Sequence, residues 1–265
     1  MRITKNLNKV VRGASALSLG ISIVVAIAIG VFAGIYLEKA TGLKFLFWLC
    51  VLVGIVAAFL NIHRAFKMLN KDIKNILSLK PNHISCYSLT VHEHTVFYIN
   101  KIEEPNEEYS YEAYKTINSL LEENGFIHYE VSNWSKPGFE SLHNLTYWRN
   151  EQYYGVGLGA SGYIDNIRYK NTTNFNKYIS LNNEIEQEVV TSEDNRQYEI
   201  MLRLRTKEGI DVLDFKNKFG YDIYERNKDV IDDYVNRGYL LTSARRIVPT
   251  FKGMMILDKI YLDLA

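Results

Sequence analysis

The chain has 265 residues, a formal net charge of +1 and only two cysteines. This length allows one large domain or two small ones, and two cysteines exclude a disulfide framework. The small net charge conceals a division, because residues 1–74 hold ten of the 31 Lys and Arg but two of the 30 Asp and Glu. The rest of the chain is therefore acidic, which argues against a general nucleic-acid-binding surface.

Two apolar runs occupy the basic N-terminal part. Residues 13–37 and 45–62 contain no charged side chain. A bilayer core of about 30 Å requires about 20 apolar residues in a helix. We therefore predict a two-span transmembrane hairpin in residues 1–71, with spans at about 14–37 and 45–62. The first run exceeds the roughly 7–15 apolar residues of a signal peptide, so a secretory leader is not favoured.

The flanking charges predict the orientation of this hairpin. Basic residues precede the first span and follow the second: Arg2, Lys5, Lys9, Arg12, Arg64, Lys67, Lys71, Lys74 and Lys80. Because cytoplasmic loops carry the excess of Lys and Arg, both termini and the soluble part are expected in the cytoplasm, at a bacterial inner membrane. Small residues at Gly30, Gly34, Gly54 and Ala58 are spaced for close packing of the two helices, although such spacings also arise by chance in spans rich in Gly and Ala.

The apolar part resembles a known family. Residues 18–25, 34–39 and 54–61 are similar to strings of the AtpZ/AtpI family, small two-span proteins associated with bacterial ATP synthase operons. The resemblance implies ATP synthase as a partner, and a role in rotor-ring assembly or in magnesium or calcium entry. Neither span contains an acidic residue, so the residues themselves indicate no ion site.

The soluble part begins with a predicted strand–helix–strand unit. Residues 83–91 alternate and are rich in β-formers, which predicts a strand. Asn106 is a helix N-cap, Gly125 ends that helix, and residues 126–131 read as a second strand. A unit of this length indicates a parallel βαβ element within an α/β sheet or barrel.

The C-terminal quarter predicts three helices and a hairpin. Thr191 and Asp194 form a capping-box pattern at the start of the first helix, and further helices are expected at about 212–219 and 223–237. A hairpin follows at 239–242 and 246–248, and a last helix comes after Thr250. This order is typical of a winged-helix-like module. The third helix carries four acidic residues, Glu225, Asp229, Asp232 and Asp233, so no nucleic-acid partner is predicted.

The string from His143 to Trp148 is the strongest candidate for chemistry. An imidazole beside aromatic rings can ligate haem iron while the rings pack on the porphyrin. A buried, hydrogen-bonded His–Asn corner with an aromatic core is the alternative.

Two further groups are candidate site-lining residues. Residues 157–162 match G-x-G-x-x-G, but residues 163–169 read as strand–turn–strand, so a dinucleotide site is not predicted. Gly155, Gly157 and Gly159 instead suit tight turns or close approach to a planar ligand. Glu130 and Asn133 lie at the end of a predicted parallel strand, where functional residues of an α/β barrel collect. Glu130 is either a site carboxylate or a member of a structural salt bridge.

Together these strings resemble one family, the HemW haem chaperones, also described as oxygen-independent coproporphyrinogen III oxidase-like radical-SAM proteins. The strings are residues 83–90, 129–134, 136–148, 153–163 and 204–209, and the resemblance extends over about 72–265. It implies haem as a ligand and haem-receiving proteins as partners. The family motif His-Asn-x-x-Tyr-Trp falls on His143, Asn144, Tyr147 and Trp148, and the resemblance implies His143 as the haem-iron ligand. It also implies a partial radical-SAM barrel at 72–190 and the family's C-terminal domain at 191–265.

The departures from that family concern the radical chemistry. The family's Cys-x-x-x-Cys-x-x-Cys, which holds a [4Fe–4S] cluster, and its S-adenosylmethionine-binding glycines have no counterpart here, since the two cysteines are Cys50 and Cys86. Where family members read Glu-Glu-Gly-Thr, residues 92–95 read His-Glu-His-Thr. We therefore name no catalytic residue and expect no radical catalysis. Three hypotheses follow: a truncated, membrane-tethered HemW-like protein, an ATP synthase accessory, or a chain joining parts of two genes.

Overall fold

The computed structural model describes residues 19–180 and 186–265. The basic residues before the first span, and that span's predicted start at residue 14, lie outside the described residues. The chain divides into two compact units, Met1–Pro81 with Cys86–Asn124, and Asn82–Ser85 with Gly125–Ala265. The domain boundaries predicted at 72 and 191 stay predictions, and each unit is described by itself.

Two long helices form an antiparallel hairpin in the first unit. Helix α1 is Leu19–Thr41 and helix α2 is Lys44–Ser78, and the intervening turn contains Gly42 at φ 72°. The helices approach closely where glycines face the opposite backbone. A Cβ placed on Gly30 would lie 2.6 Å from the Cys50 carbonyl oxygen, and one on Gly54 would lie 2.7 Å from that of Ala26. The predicted packing of small residues is thereby confirmed.

Helix α2 continues well beyond its apolar run, which the sequence analysis did not predict. The first unit also contains the short helix α3, Val96–Ile99, and helix α4, Glu107–Glu123, whose predicted N-cap Asn106 accepts from the Tyr109 N–H at 2.8 Å. Phe66 on α2 lies against Tyr109, with ring centroids 5.8 Å apart. The extension therefore exists because its apolar stripe packs against α4.

The first sheet, in the second unit, has the order β1-β3-β2. Its strands are β1, His83–Ser85, β2, Ile127–Glu130, and β3, Asn133–Ser135. Both β1 and β2 pair antiparallel with β3, so they run parallel to each other as predicted. The two strands are not neighbours in the sheet, because the chain turns after Glu130 and inserts β3 between them. The strand predicted over 83–91 is likewise shorter than expected.

The second sheet follows the short helix α5, Leu142–Trp148. Its strands, in the order β4-β5-β6, are Ser161–Ile164, Ile167–Lys170 and Glu186–Val189, and helix α6, Phe175–Ile179, lies between β5 and β6 in the chain. Asp165 and Asn166 both have positive φ, of 50° and 62°, which closes a two-residue hairpin turn. The predicted strand–turn–strand over 163–169 is confirmed.

The C-terminal part combines helices with a third sheet. Its helices are α7, Ser192–Arg203, α8, Val212–Phe219, α9, Ile223–Arg226, α10, Lys228–Asn236, α11, Phe251–Met254, and α12, Leu257–Leu264. The strands, in the order β7-β9-β8, are Ile210–Asp211, Arg246–Pro249 and Leu240–Thr242. Thr191 and Asp194 form the predicted capping box. The single helix predicted over 223–237 is wrong, since it is interrupted at Asn227, whose φ of −114° is not helical.

One apolar core holds the C-terminal part together. Its fully buried members come from every longer helix and from all three strands: Ile200, Leu204, Ile210, Phe215, Ile223, Ile231, Leu240, Ile247, Ile260 and Leu264. Each such side chain contributes roughly 1.5–3 kcal/mol by leaving water. This core provides a rigid base for the segments described next.

Candidate functional site

Helix α5 carries the candidate haem motif. Ser141 is its N-cap, and the Ser141 Oγ accepts from the Asn144 N–H at 3.3 Å. His143 and Tyr147 are four residues apart and therefore lie on one face of the helix. The Tyr147 hydroxyl lies 2.8 Å from His143 Nε2, and the two rings meet edge to face at 4.6 Å. The His143 side chain is exposed, so the alternative of a buried His–Asn corner is wrong.

A buried polar network lies beneath the other side of the motif. Glu130 is fully buried, and its carboxylate accepts from the Asn133 Nδ2 and, at 3.3 Å, from the Ser132 N–H. Burial raises the pKa of Glu130, and these hydrogen bonds, with the nearby Trp148 indole, offset part of that rise. The Trp148 Nε1–H is itself buried and completes no hydrogen bond of normal geometry. Asn133 also accepts from the Ser85 hydroxyl.

The predicted site residues Glu130 and Asn133 therefore do not line a surface site; they form the buried hydrogen-bond network beneath the motif. Both are almost completely inaccessible, at 0% and 2% exposure. Their strand continues into hydrogen bonds with residues 205–207: the Val131 N–H donates to the Arg205 carbonyl at 3.0 Å, and the Lys207 N–H donates to the Tyr129 carbonyl at 2.9 Å. The strings 204–209 and 129–134, which are distant in the chain, are therefore joined by backbone hydrogen bonds in the structure.

A clamp that the sequence analysis missed fixes the end of α5. Arg149, which follows Trp148 directly, donates to both carboxylate oxygens of Glu208, at 2.5 and 3.2 Å. This pairing raises the pKa of Arg149, and it is the largest cause of the lowered pKa of Glu208. Asn150 donates to the Asn195 side chain of α7 at 2.7 Å. In the sequence, Glu208 lies inside the string 204–209 and Arg149 directly follows the string 136–148, and neither position indicates that the two side chains pair.

The glycine-rich loop starts beside the motif. The ring of Tyr153 meets that of Tyr147 edge to face at 4.3 Å. The Asn171 Nδ2 then donates to the carbonyls of Gly155 and Gly157, at 3.1 and 2.9 Å, which fixes the loop. A Cβ on Gly155 would lie 2.3 Å from the Ser161 carbonyl oxygen, so only glycine fits there.

Positive φ angles account for two more of these glycines. Gly157 and Gly159 have φ of 114° and 69°, which favour glycine. The loop turns its large apolar side chains outward, with Tyr154 77%, Val156 85% and Leu158 45% exposed. Tight turns are therefore the observed use of these glycines, and the loop also presents an apolar surface.

The donor set suits a planar iron ligand better than a bare metal ion. Among the described residues, no three His, Cys, Asp or Glu side chains lie close enough to hold a metal. An exposed imidazole with a hydroxyl on one nitrogen, next to aromatic rings and an exposed apolar loop, matches what haem requires of a protein surface. The residues present therefore fit haem.

The comparisons with known proteins divide the chain in two. The family model described as putative F0F1-ATPase subunit Ca2+/Mg2+ transporter matches residues 14–65. The family model described as HemN C-terminal domain matches residues 190–256. Each covers well under half of the chain.

Curated relatives and a solved structure resemble the larger part. The Heme chaperone HemW of Lactococcus lactis is 37% identical over 205 residues, covering 75% of this chain and 54% of that protein. The same-named protein of Bacillus subtilis is 34% identical, covering 75% and 55%. The solved structure of coproporphyrinogen III oxidase (HemN) from Escherichia coli, a radical SAM enzyme, matches 72% of this chain and 50% of that chain, with a TM-score of 0.57 and 13% identity.

These matches confirm the two resemblances on which the sequence analysis rests. The C-terminal portion of the chain is similar to HemW and has part of the HemN fold, and its N-terminal portion is similar to the F0F1-ATPase-associated family. The chain spans about half the length of the curated relatives it matches.

Proposed function

We propose that this chain is a HemW-like haem-binding protein whose haem site is helix α5. The observation that carries the proposal is the exposed His143 imidazole, hydrogen-bonded to Tyr147 on one helix face, with the Tyr147 ring against Tyr153 at the start of the glycine loop. The name of the curated relatives, Heme chaperone HemW, supports it.

Each motif residue has a distinct part in this proposal. Tyr147 holds one imidazole nitrogen through its hydroxyl, which leaves the other nitrogen of His143 for the haem iron. A hydrogen bond to the nitrogen that does not bind the metal fixes the orientation of a ligating histidine ring. Asn144 belongs to the first turn fixed by Ser141, and Trp148 places its buried indole beside the Glu130 carboxylate. Val156 and Leu158 provide apolar surface for the macrocycle.

Haem titration of the full chain in neutral-lipid nanodiscs tests the proposal. We expect a shifted Soret band in the wild type and its loss in His143→Ala. Tyr147→Phe keeps the ring contact with Tyr153 and should weaken haem binding roughly tenfold or more. His92→Ala, which removes another exposed histidine, is the matched control. An unchanged Soret shift in His143→Ala would refute the proposed ligand.

The [4Fe–4S] cluster and S-adenosylmethionine of the radical-SAM fold do not fit the residues of this chain. Such a cluster takes three thiolates from one short motif, whereas the two cysteines here are Cys50 in α2 and Cys86. We therefore propose haem binding without radical catalysis, and no catalytic step is assigned to any residue.

We further propose that α1 and α2 anchor this protein in a membrane, with both termini and the second unit on the cytoplasmic side. By length and composition both helices could cross a bilayer. Only 11% and 12% of the residues in their apolar stretches are buried within the protein. A core helix of a soluble protein would be mostly buried instead. Haem-receiving proteins on that side would be the partners. Retention of the full chain in vesicles after alkaline carbonate extraction tests the anchor.

A second candidate function rests on the match at residues 14–65. In that case the hairpin serves ATP synthase assembly and the winged-helix-like C-terminal part is passive. Deletion of residues 1–70 should then reduce the yield of assembled rotor rings, while His143→Ala should not. A chain joining parts of two genes remains the third hypothesis, which the encoding DNA around codon 72 would test.

A further inference from the structure

The last part of helix α2 projects beyond the apolar run. With a rise of 1.5 Å per residue, a helix of this length measures roughly 52 Å, whereas a bilayer core is about 30 Å thick. The predicted span ends at residue 62, so residues 64–78 continue the same helix outside the hydrocarbon core. Any feature on their surface is held rigidly at a fixed height above the proposed span.

One face of this projecting segment is apolar and covered. Ile73 is only 3% exposed, and Phe66 packs against Tyr109 of α4. Leu69 lines a crevice of about 220 Å³ with Tyr109 and neighbouring side chains. The helix therefore cannot rotate about its axis without losing these contacts, which fixes the direction of its other face.

The other face carries four cations, which we call the basic stripe: Arg64, Lys67, Lys71 and Lys74. Their spacing of three, four and three residues places them within an arc of roughly 80°. All four are exposed, and no ion pair within the described part of the chain involves them. The nearest acidic side chain along the helix, Asp72, lies about 100° around the axis from Lys71.

We propose that the basic stripe binds the headgroups of anionic phospholipids in the membrane that α1 and α2 span. The inference rests on that proposed membrane anchor, and it assigns a lipid class to it. Arg64 comes two residues after the apolar run, and Lys67 lies within roughly 8 Å of its end, inside the headgroup layer. Lys71 lies within about 8 Å of the headgroup layer, which is one electrostatic screening length. Lys74 lies farthest from the headgroups and contributes least to lipid binding.

Lipid selectivity of the full chain in mixed vesicles tests the stripe. The vesicles contain phosphatidylcholine with about a quarter phosphatidylglycerol. Each Lys or Arg close to an anionic surface contributes roughly a fivefold preference for it. Spin-labelled phosphatidylglycerol and phosphatidylcholine report how much of each lipid the protein immobilises. The test variant is Lys67→Gln/Lys71→Gln, and the control with the same change of charge is Lys216→Gln/Lys228→Gln, two exposed lysines of the other unit.

We expect the wild type and the control to prefer phosphatidylglycerol several-fold at low salt, and the test variant to lose most of this preference. High salt should remove the preference from the wild type as well, because the contact is electrostatic. Equal selectivity in wild type and test variant would overturn the lipid-binding stripe while leaving the anchor intact. Release of the wild type by alkaline carbonate would instead overturn the anchor itself, and the stripe's lipid with it.

Discussion

The ion pair between Arg149 and Glu208 should couple the candidate haem helix to the C-terminal core. The two side chains form a two-pronged contact and are about one-third exposed, at 32% and 39%. We consider Arg149→Met and Glu208→Gln, alone and together. A double-mutant cycle is appropriate because each residue has other charged neighbours.

The structure sets the size of the expected effect. Buried charge-assisted hydrogen bonds contribute about 1.5–3 kcal/mol each, while exposed ion pairs contribute about 0.2–1 kcal/mol. At one-third exposure we expect a coupling free energy of about 1–1.5 kcal/mol. Arg149→Met should lower the stability less than Glu208→Gln does. In Arg149→Met the Glu208 carboxylate still has Arg203 at 4.0 Å and the positive charge of Arg246 nearby.

The assay is urea unfolding of the full chain in mild detergent, in a Trp48→Phe background. Fluorescence then reports Trp134 and Trp148, which belong to the same unit as the ion pair. Because the folded pKa of Glu208 is lowered, the pair stabilises the fold above the ordinary glutamate pKa of about 4.3 and loses this contribution as pH falls through the lower folded value. A coupling below about 0.3 kcal/mol at pH 7, within the usual limit of additivity, or one unchanged in acid, would refute the reasoning.

Three other predictions concern separate parts of the fold. Burial lowers the pKa of His128 to about 4, so protonation of the unfolded chain at this residue should cost about 2 kcal/mol of stability between pH 7.5 and 5. His128→Phe should remove this contribution in urea titrations at the two pH values, and an unchanged pH dependence would contradict a buried, neutral His128. Gly54→Leu should destabilise the hairpin by about 1–3 kcal/mol in thermal melts followed by circular dichroism, whereas the exposed Val53→Leu should not, and equal melts would contradict the close packing. Thr191→Ala should cost about 1 kcal/mol by removing the capping box, and Thr191→Ser should restore it.

Local chemistry could be predicted from the sequence where a few neighbouring residues decide it. The Asn106 cap, the Thr191 capping box and the turn at Asp165–Asn166 depend on contacts within four residues, and all three appear as expected. The left-handed end of α8 at Gly220, with φ 80°, belongs to the same class. In each case the side chain or backbone preference acts before any tertiary contact forms.

Predictions that depended on distant partners were less complete. The break at Asn227 and the insertion of β3 between β1 and β2 reflect packing and pairing that single-segment patterns do not encode. The extension of α2 to Ser78 depends on its contact with α4, in which Tyr109 lies 43 residues after its partner Phe66. At the candidate site, the motif helix could be named from its residues, but the Arg149–Glu208 clamp joins positions 59 residues apart and only the structure showed it.

The geometry of the candidate haem motif is fixed by contacts within one unit. Tyr129 lies at 3.4 Å from the Ser141 N–H at the start of α5, Arg149 ties its end to Glu208, and Tyr147 meets Tyr153 at the glycine loop. None of these contacts uses either cysteine or any residue of the apolar hairpin. The contacts that position His143 therefore do not depend on the three thiolates that hold a [4Fe–4S] cluster. A chain without those thiolates can still hold the His143 imidazole in this position. The change of character near residue 70 is therefore compatible with the proposed haem site, and haem titration of His143 and Tyr147 variants tests it most directly.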